Sequence, residues 1–218
     1  MKKLITFLVI GILAVTVAAC SSPEETVFQV MEDAASQENA FEKQQKPMNK
    51  LESDEKALFD EIMELGMKEF DQIQKLADEA LVNLDERRKL IDKEKEALEK
   101  SKEEFQKAKT ELDKIKDGEL KKEAQKLADL MDERYSAYDT LYSAYLTGLS
   151  EDKKIYELMK DEELSMEKLE KQIEASNNAY EKVQEANNTF NEKTEGFNEK
   201  KLEFYNKAGF NITNDNKD

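Results

Sequence analysis

The chain has 218 residues, 50 acidic against 34 basic, for a net charge of −16, and it contains no histidine, no tryptophan and one cysteine. A basic stripe is the footprint of phosphate binding, so this balance argues against nucleic acid and anionic lipid as partners. Zinc or copper sites of His/Cys type and His-based nucleophilic catalysis are excluded by inventory, and 39% charged residues with six glycines and two prolines describe long helices with few turns.

The chain opens with Lys2 and Lys3, followed by an uncharged run from Leu4 to Val17. A positive region before an apolar one is the order of a secretory signal. The run is shorter than the roughly 20 apolar residues a transmembrane helix needs. It ends at Val17-Ala18-Ala19-Cys20, small residues before the chain's one thiol. We read Val17, Ala18 and Ala19 as a lipobox, residues 1–19 as a cleaved signal peptide, and Cys20 as the residue that takes up diacylglycerol. The other reading, an ordinary signal peptide beside an unrelated cysteine, leaves a free thiol that is unusual in an exported protein. Two acyl chains suffice for stable anchoring without protein insertion. The mature chain is therefore expected on the outer face of the cytoplasmic membrane, on a short tether over 20–25, and two charges more negative once Lys2 and Lys3 are removed.

Pro23 is placed to open a helix, and Phe28, Met31, Ala35 and Phe41 give a weak amphipathic pattern over about 26–45 that ends at Pro47. From Met63 the pattern tightens. Met63, Phe70, Ala77, Leu84, Ile91, Leu98, Phe105 and Leu112 are apolar at intervals of seven, and the companion line Gly66, Ile73, Ala80, Arg87, Glu94, Ser101, Ala108 and Ile115 is mixed. This predicts one long coiled-coil-like helix over about 48–116.

Asp117-Gly118 is the clearest turn signal. A second heptad then runs from Leu120 through Leu127, Arg134, Tyr138, Tyr145, Gly148, Asp152, Ile155, Met159, Glu162, Met166 and Leu169 to Phe190, Phe197 and Phe204. Its unbroken phase permits a single helix. Gly148 as a C-cap and Ser150 as an N-cap favour a break instead, giving helices over 119–147 and 151–206. Residues 207–218 read as a disordered tail. The expected fold is all-α: an elongated antiparallel helical bundle over 26–206, because heptad stripes must bury against each other and short links favour antiparallel neighbours.

No enzyme is expected. A glycosidase needs two carboxyls about 5 to 9.5 Å apart across a cleft, one with a raised pKa, and carboxylates on solvated helix faces offer neither. The tail from Asn211 to Asp218 has oxygen ligands but lacks the glycine and closing Glu of a calcium loop, so no metal and no cofactor beyond the lipid on Cys20 is expected. Tyr135, Tyr138, Tyr142 and Tyr145 fall on one side of a helix. Their rings would suit sugar stacking or peptide docking, but their places on and beside the seam favour packing inside the bundle. Glu162, Ser176, Asn187, Thr194 and Lys201 are polar seam residues that either fix register or mark a loosely covered face.

The lipobox, the run Phe41-Glu42-Lys43-Gln44-Gln45-Lys46-Pro47-Met48-Asn49-Lys50-Leu51-Glu52, the tyrosine helix Arg134–Tyr145 and the ending Phe190-Asn191-Glu192-Lys193-Thr194, Phe197-Asn198-Glu199-Lys200-Lys201 and Phe204-Tyr205 resemble the YkyA-like family of cell-wall-binding lipoproteins of low-GC Gram-positive bacteria. The resemblance covers essentially the whole chain. It implies a membrane-anchored protein touching the wall, and it brings no catalytic residues. Anionic wall phosphates would repel so acidic a chain, so peptidoglycan fits the charge better. A lipid-tethered scaffold that recruits another envelope protein is the competing expectation. The oligomeric state is not legible from the residues.

Overall fold

The computed structural model describes residues 22–65 and 69–210. The signal peptide, the lipobox with Cys20, Gly66 and the tail from Asn211 lie outside these. The order is α1 (Pro23–Gln37), α2 (Asn39–Glu64), α3 (Phe70–Leu112), α4 (Gly118–Met159) and α5 (Met166–Lys207). The all-α expectation holds.

Ser22 opens α1 with a reciprocal cap: its hydroxyl accepts from the Glu25 backbone, and the Glu25 carboxylate accepts from the Ser22 N–H. Pro23 sits in the first turn, where its missing N–H costs nothing. Asp117 caps α4, its Oδ1 accepting from the N–H groups of Glu119 and Leu120 at 2.9 and 2.8 Å. α5 ends in a Schellman turn. Phe210 N–H reaches back to Tyr205 C=O and Gly209 N–H to Asn206 C=O, with Gly209 at φ +83°. Residues 207–210, expected in the tail, belong instead to this helix ending, and Phe210 stacks on Phe28 with centroids 4.7 Å apart.

Three helix boundaries correct the sequence reading. Pro47 lies inside α2 rather than ending a helix over 26–45. Lys43 and Pro47 are both exposed, so water can satisfy the carbonyl that the proline leaves unpaired. The expected helix over 48–116 is two helices, divided between Glu64 and Phe70, and Met63 is 45% exposed rather than on a buried seam. Finally, α4 runs unbroken through Gly148 and Ser150, and the break falls at residues 160–165. There Asp161 closes a turn through the Glu163 N–H, and Ser165 caps α5 through the Lys168 N–H. Gly148 serves packing, since a Cβ there would lie 3.0 Å from Cζ of Tyr180. The glycine admits a ring to the helix surface instead of ending the helix.

The described chain forms two compact units. One takes residues 22–42, Ala97–Ala137 and 189–210; the other takes Lys43–Glu96 and Tyr138–Asn188. Each is a four-helix arrangement with antiparallel neighbours. In the first, Ser101 meets Tyr135 and Lys109 meets Asp132, so α4 descends as α3 rises, while Glu32 of α1 meets Lys201 of α5. In the second, Gln45 meets Glu94 and Asn83 meets Leu51 between α2 and α3, and Asp152 meets Ser176 between α4 and α5. The second unit's core joins Met48, Ile62, Leu76, Leu84, Ile91, Leu149, Ile155, Met159 and Leu169. Each such side chain contributes about 1.5–3 kcal/mol by leaving water.

Candidate functional site

Both heptad lines of α3 are buried from Ile73 to Leu112, including the polar members of the companion line, Arg87, Glu94 and Ser101. Their spacing of seven places three polar groups on the same stripe as Ala80 and Ala108. Each must find partners, because an unpaired polar group in a core costs about 1–3 kcal/mol and a charge more.

In the first unit Ser101 donates to Oε1 of Glu38 at 2.7 Å and lies 2.8 Å from the Tyr135 hydroxyl. Glu38, the residue between α1 and α2, accepts both arms of the Arg134 guanidinium at 2.8 and 2.6 Å. Arg134 also donates to Thr194 at 3.0 Å and lies 5.1 Å from the centroid of Phe190. Arg134 and Glu38 match charge for charge, so the cluster is a structural clasp.

In the second unit Glu94 has no basic partner among the described residues. Its Oε1 accepts from Gln45 at 2.9 Å and its Oε2 from the Tyr138 hydroxyl at 3.4 Å. Burial pushes its pKa up to about 8, against smaller lowering effects from these two hydrogen bonds. The group therefore carries a proton at neutral pH.

One layer along α3, Arg87 is 2% exposed and is surrounded by Glu52, Glu55 and Asp152. Its short bonds nonetheless go to neutral phenols: Nε donates to Tyr145 at 3.0 Å and Nη2 to Tyr180 at 2.9 Å. Those hydroxyls pass the polarity on. Tyr145 donates to Glu52 at 3.1 Å, and Tyr180 donates to Asp152 at 2.6 Å, which also accepts from Ser176 at 2.5 Å. Tyr156 donates to Oε1 of Glu55. The carboxylates themselves stay 3.8–3.9 Å from the guanidinium, beyond direct hydrogen-bond reach. Burial raises the pKa of Glu55, with Asp152 adding to the shift.

This layer opens to a cleft of about 360 Å³ lined by Glu52, Glu55 and Phe59 of α2, Arg87, Asp152 and Ile155 of α4, and Ile173 and Tyr180 of α5. Its polar floor and apolar walls are the pattern of a small-ligand site between bundle helices. Among the charged groups of its lining, three atoms make no hydrogen bond: Nη1 of Arg87 and the Oε2 atoms of Glu52 and Glu55. The three acids stand around the guanidinium rather than converging on one point, and among the described residues no trio of acids is placed to hold a metal ion.

Of the four tyrosines read as a possible ligand surface, Tyr135, Tyr138 and Tyr145 are buried and Tyr142 is half-buried with its hydroxyl on Asp92 at 2.7 Å. They form no stacking surface, because the seam draws the rings inward. Among the polar seam residues, Ser176, Thr194 and Lys201 have partners within the bundle, whereas Glu162 lies exposed in the link before α5. The sequence reading missed Tyr180 and the acids of α2. Gly148 and Tyr180 carried a signal, a glycine and a tyrosine on facing seams. Glu52 and Glu55 carried none, being two among 50 acids.

A model of the family described as "Putative cell-wall binding lipoprotein" matches residues 22–207. An uncharacterized lipoprotein of Bacillus subtilis (strain 168) is 33% identical over 190 residues, covering 87% of this chain and 85% of that protein. The crystal structure of a conserved protein of unknown function from Staphylococcus aureus superposes with a TM-score of 0.75 at 19% identity, over 86% of this chain and 97% of the other. That likeness concerns the fold.

Proposed function

Because this chain belongs to the YkyA lipoprotein family, we propose that it is a non-enzymatic envelope protein, anchored by diacylglycerol on Cys20 to the outer face of the cytoplasmic membrane, that binds peptidoglycan. The observation that carries the binding reading is the cleft of the second unit, where a buried guanidinium and two carboxylates keep unfilled hydrogen-bonding atoms beside apolar walls. Among the described residues no helix is long and apolar enough to cross a membrane. The chain's acidity favours peptidoglycan over anionic wall polymers. The non-enzymatic part rests on Glu55 and Asp152, each held by neighbouring hydroxyls in a structural network rather than poised on two sides of a bond.

Two measurements test this. The mature chain with Cys20→Ser should pellet with purified cell-wall sacculi at physiological salt, and failure to pellet refutes wall binding. In cells the parent should take up labelled fatty acid and the Cys20→Ser variant none; equal labelling of the two refutes the anchor at Cys20.

A second reading, a lipid-tethered scaffold for another envelope protein, is favoured by Met63, Val82 and Met166, large apolar side chains 45–60% exposed in the second unit. Crosslinking in intact cells should then trap one protein partner through these positions.

A further inference from the structure

We propose that the cleft of the second unit recognises a primary ammonium group borne by a wall peptide, with a neighbouring carbonyl of that peptide taken by Arg87. The proposal rests on the wall-binding reading above and names its ligand. Three carboxyl groups stand around one guanidinium, so in this layer acids outnumber the base three to one. Lys56, the other cation of the lining, is tied to Asp60 on its own helix. A layer so composed attracts a cation.

The unfilled atoms define the shape of that cation. Oε2 of Glu52 and Oε2 of Glu55 are acceptors without donors, on residues 33% and 18% exposed in their side chains at the mouth of the cleft. An ammonium has three donors to offer them. Nη1 of Arg87 is a donor without an acceptor, and a carbonyl oxygen beside the amine completes it. Phe59, Ile155 and Ile173 supply an apolar wall for the methylenes that carry the amine. A metal ion fits less well, because Arg87 occupies the centre where the oxygens would have to converge. An anionic polymer fits least, since it meets three carboxylates.

The test uses the mature chain with Cys20→Ser and three preparations of sacculi: untreated, treated with mild base to remove ester-linked amino groups, and treated with acetic anhydride to acetylate all amines. Binding equal on untreated and base-treated sacculi, and reduced at least tenfold on acetylated sacculi, is the expected result. The double variant Glu52→Gln with Glu55→Gln should lose binding to untreated sacculi by a similar factor while melting at or above the temperature of the parent, since it relieves unbalanced negative charge. Equal binding to acetylated sacculi overturns the ammonium proposal and leaves wall binding standing. Loss on base treatment alone overturns the peptide assignment in favour of ester-linked amines. No pelleting with any preparation overturns both readings.

Discussion

Gly148 of α4 lies against the ring of Tyr180 of α5, so close that a Cβ at residue 148 would sit 3.0 Å from Cζ and 3.2 Å from Cε1. The ring cannot retreat freely, because its hydroxyl accepts from Arg87 and donates to Asp152. Gly148→Ala gains about 1 kcal/mol of helix propensity and loses about 1–3 kcal/mol to overpacking. The expected net effect is destabilisation by about 1 kcal/mol, read as a lower urea midpoint at unchanged slope. A stabilised variant would show that the contact relaxes cheaply.

Arg87→Met should be far more damaging. It removes the one positive charge among Glu52, Glu55 and Asp152 and leaves two tyrosine hydroxyls without their donor. Breaking a buried charge cluster on one side costs about 3–5 kcal/mol. The deficit should shrink as pH falls and the acids take up protons, which denaturation at pH 7 and pH 4 would reveal. Arg87→Lys should rescue little, since one ammonium cannot span both phenols.

Glu94 and Glu55 are acids of the second unit whose pKa burial raises, and Glu94 is pushed up to about 8. The groups around it are Gln45, Tyr138 and Glu52, none of them basic. In the folded protein it holds its proton up to about pH 8, whereas the unfolded chain releases it near the ordinary value of 4.5. Between these values the unfolded state binds fewer protons, so stability falls as pH rises from about 4.5 to about 8 and is level beyond. At about 1.4 kcal/mol per pKa unit the loss is on the order of a few kcal/mol. Glu94→Gln can keep a hydrogen bond to each neighbour and should make the slope shallower in thermal melts across the window. A slope equal to the parent's would place the titration elsewhere.

Glu38 and Arg134 should behave as one unit. Glu38→Ala strands a buried guanidinium and is expected to cost about 3–5 kcal/mol. Replacing both residues by Met should recover much of it, so the two losses will not add. Hydrogen exchange should show α1 loosening first in Glu38→Ala, because that carboxylate clasps the junction between α1 and α2.

The seams were readable because apolar spacing reports burial whatever the connection. Leu84, Ile91, Leu98 and Phe105 lie where their period of seven puts them. The breaks were less readable. Glycine at 148 served packing, and proline at 47 was tolerated on a wet face, so both punctuation signals misled. The true link before α5 used Asp161 and Ser165, common residues whose caps are visible only once the turn exists. For the cleft, the sequence offered the mixed line of Arg87, Glu94 and Ser101 but not its partners. Those come from helices 32 or more residues away, and an acid on a surface and an acid at the mouth of a cleft look alike in a string.

The cap at Ser22 bounds the reach that the anchor proposed at Cys20 would have. Its helix starts at Pro23, and Val27, Met31 and Ala34 press that helix into the first unit at once. With a lipid on Cys20, only two residues, spanning about 7 Å when extended, would separate membrane from folded protein. The first unit would then be a moored hull rather than a lure on a line. The wall strands it could meet would be those that drift within its own length of the bilayer, and that encounter would be tuned by the width of the gap between membrane and wall rather than by the slack of a leash.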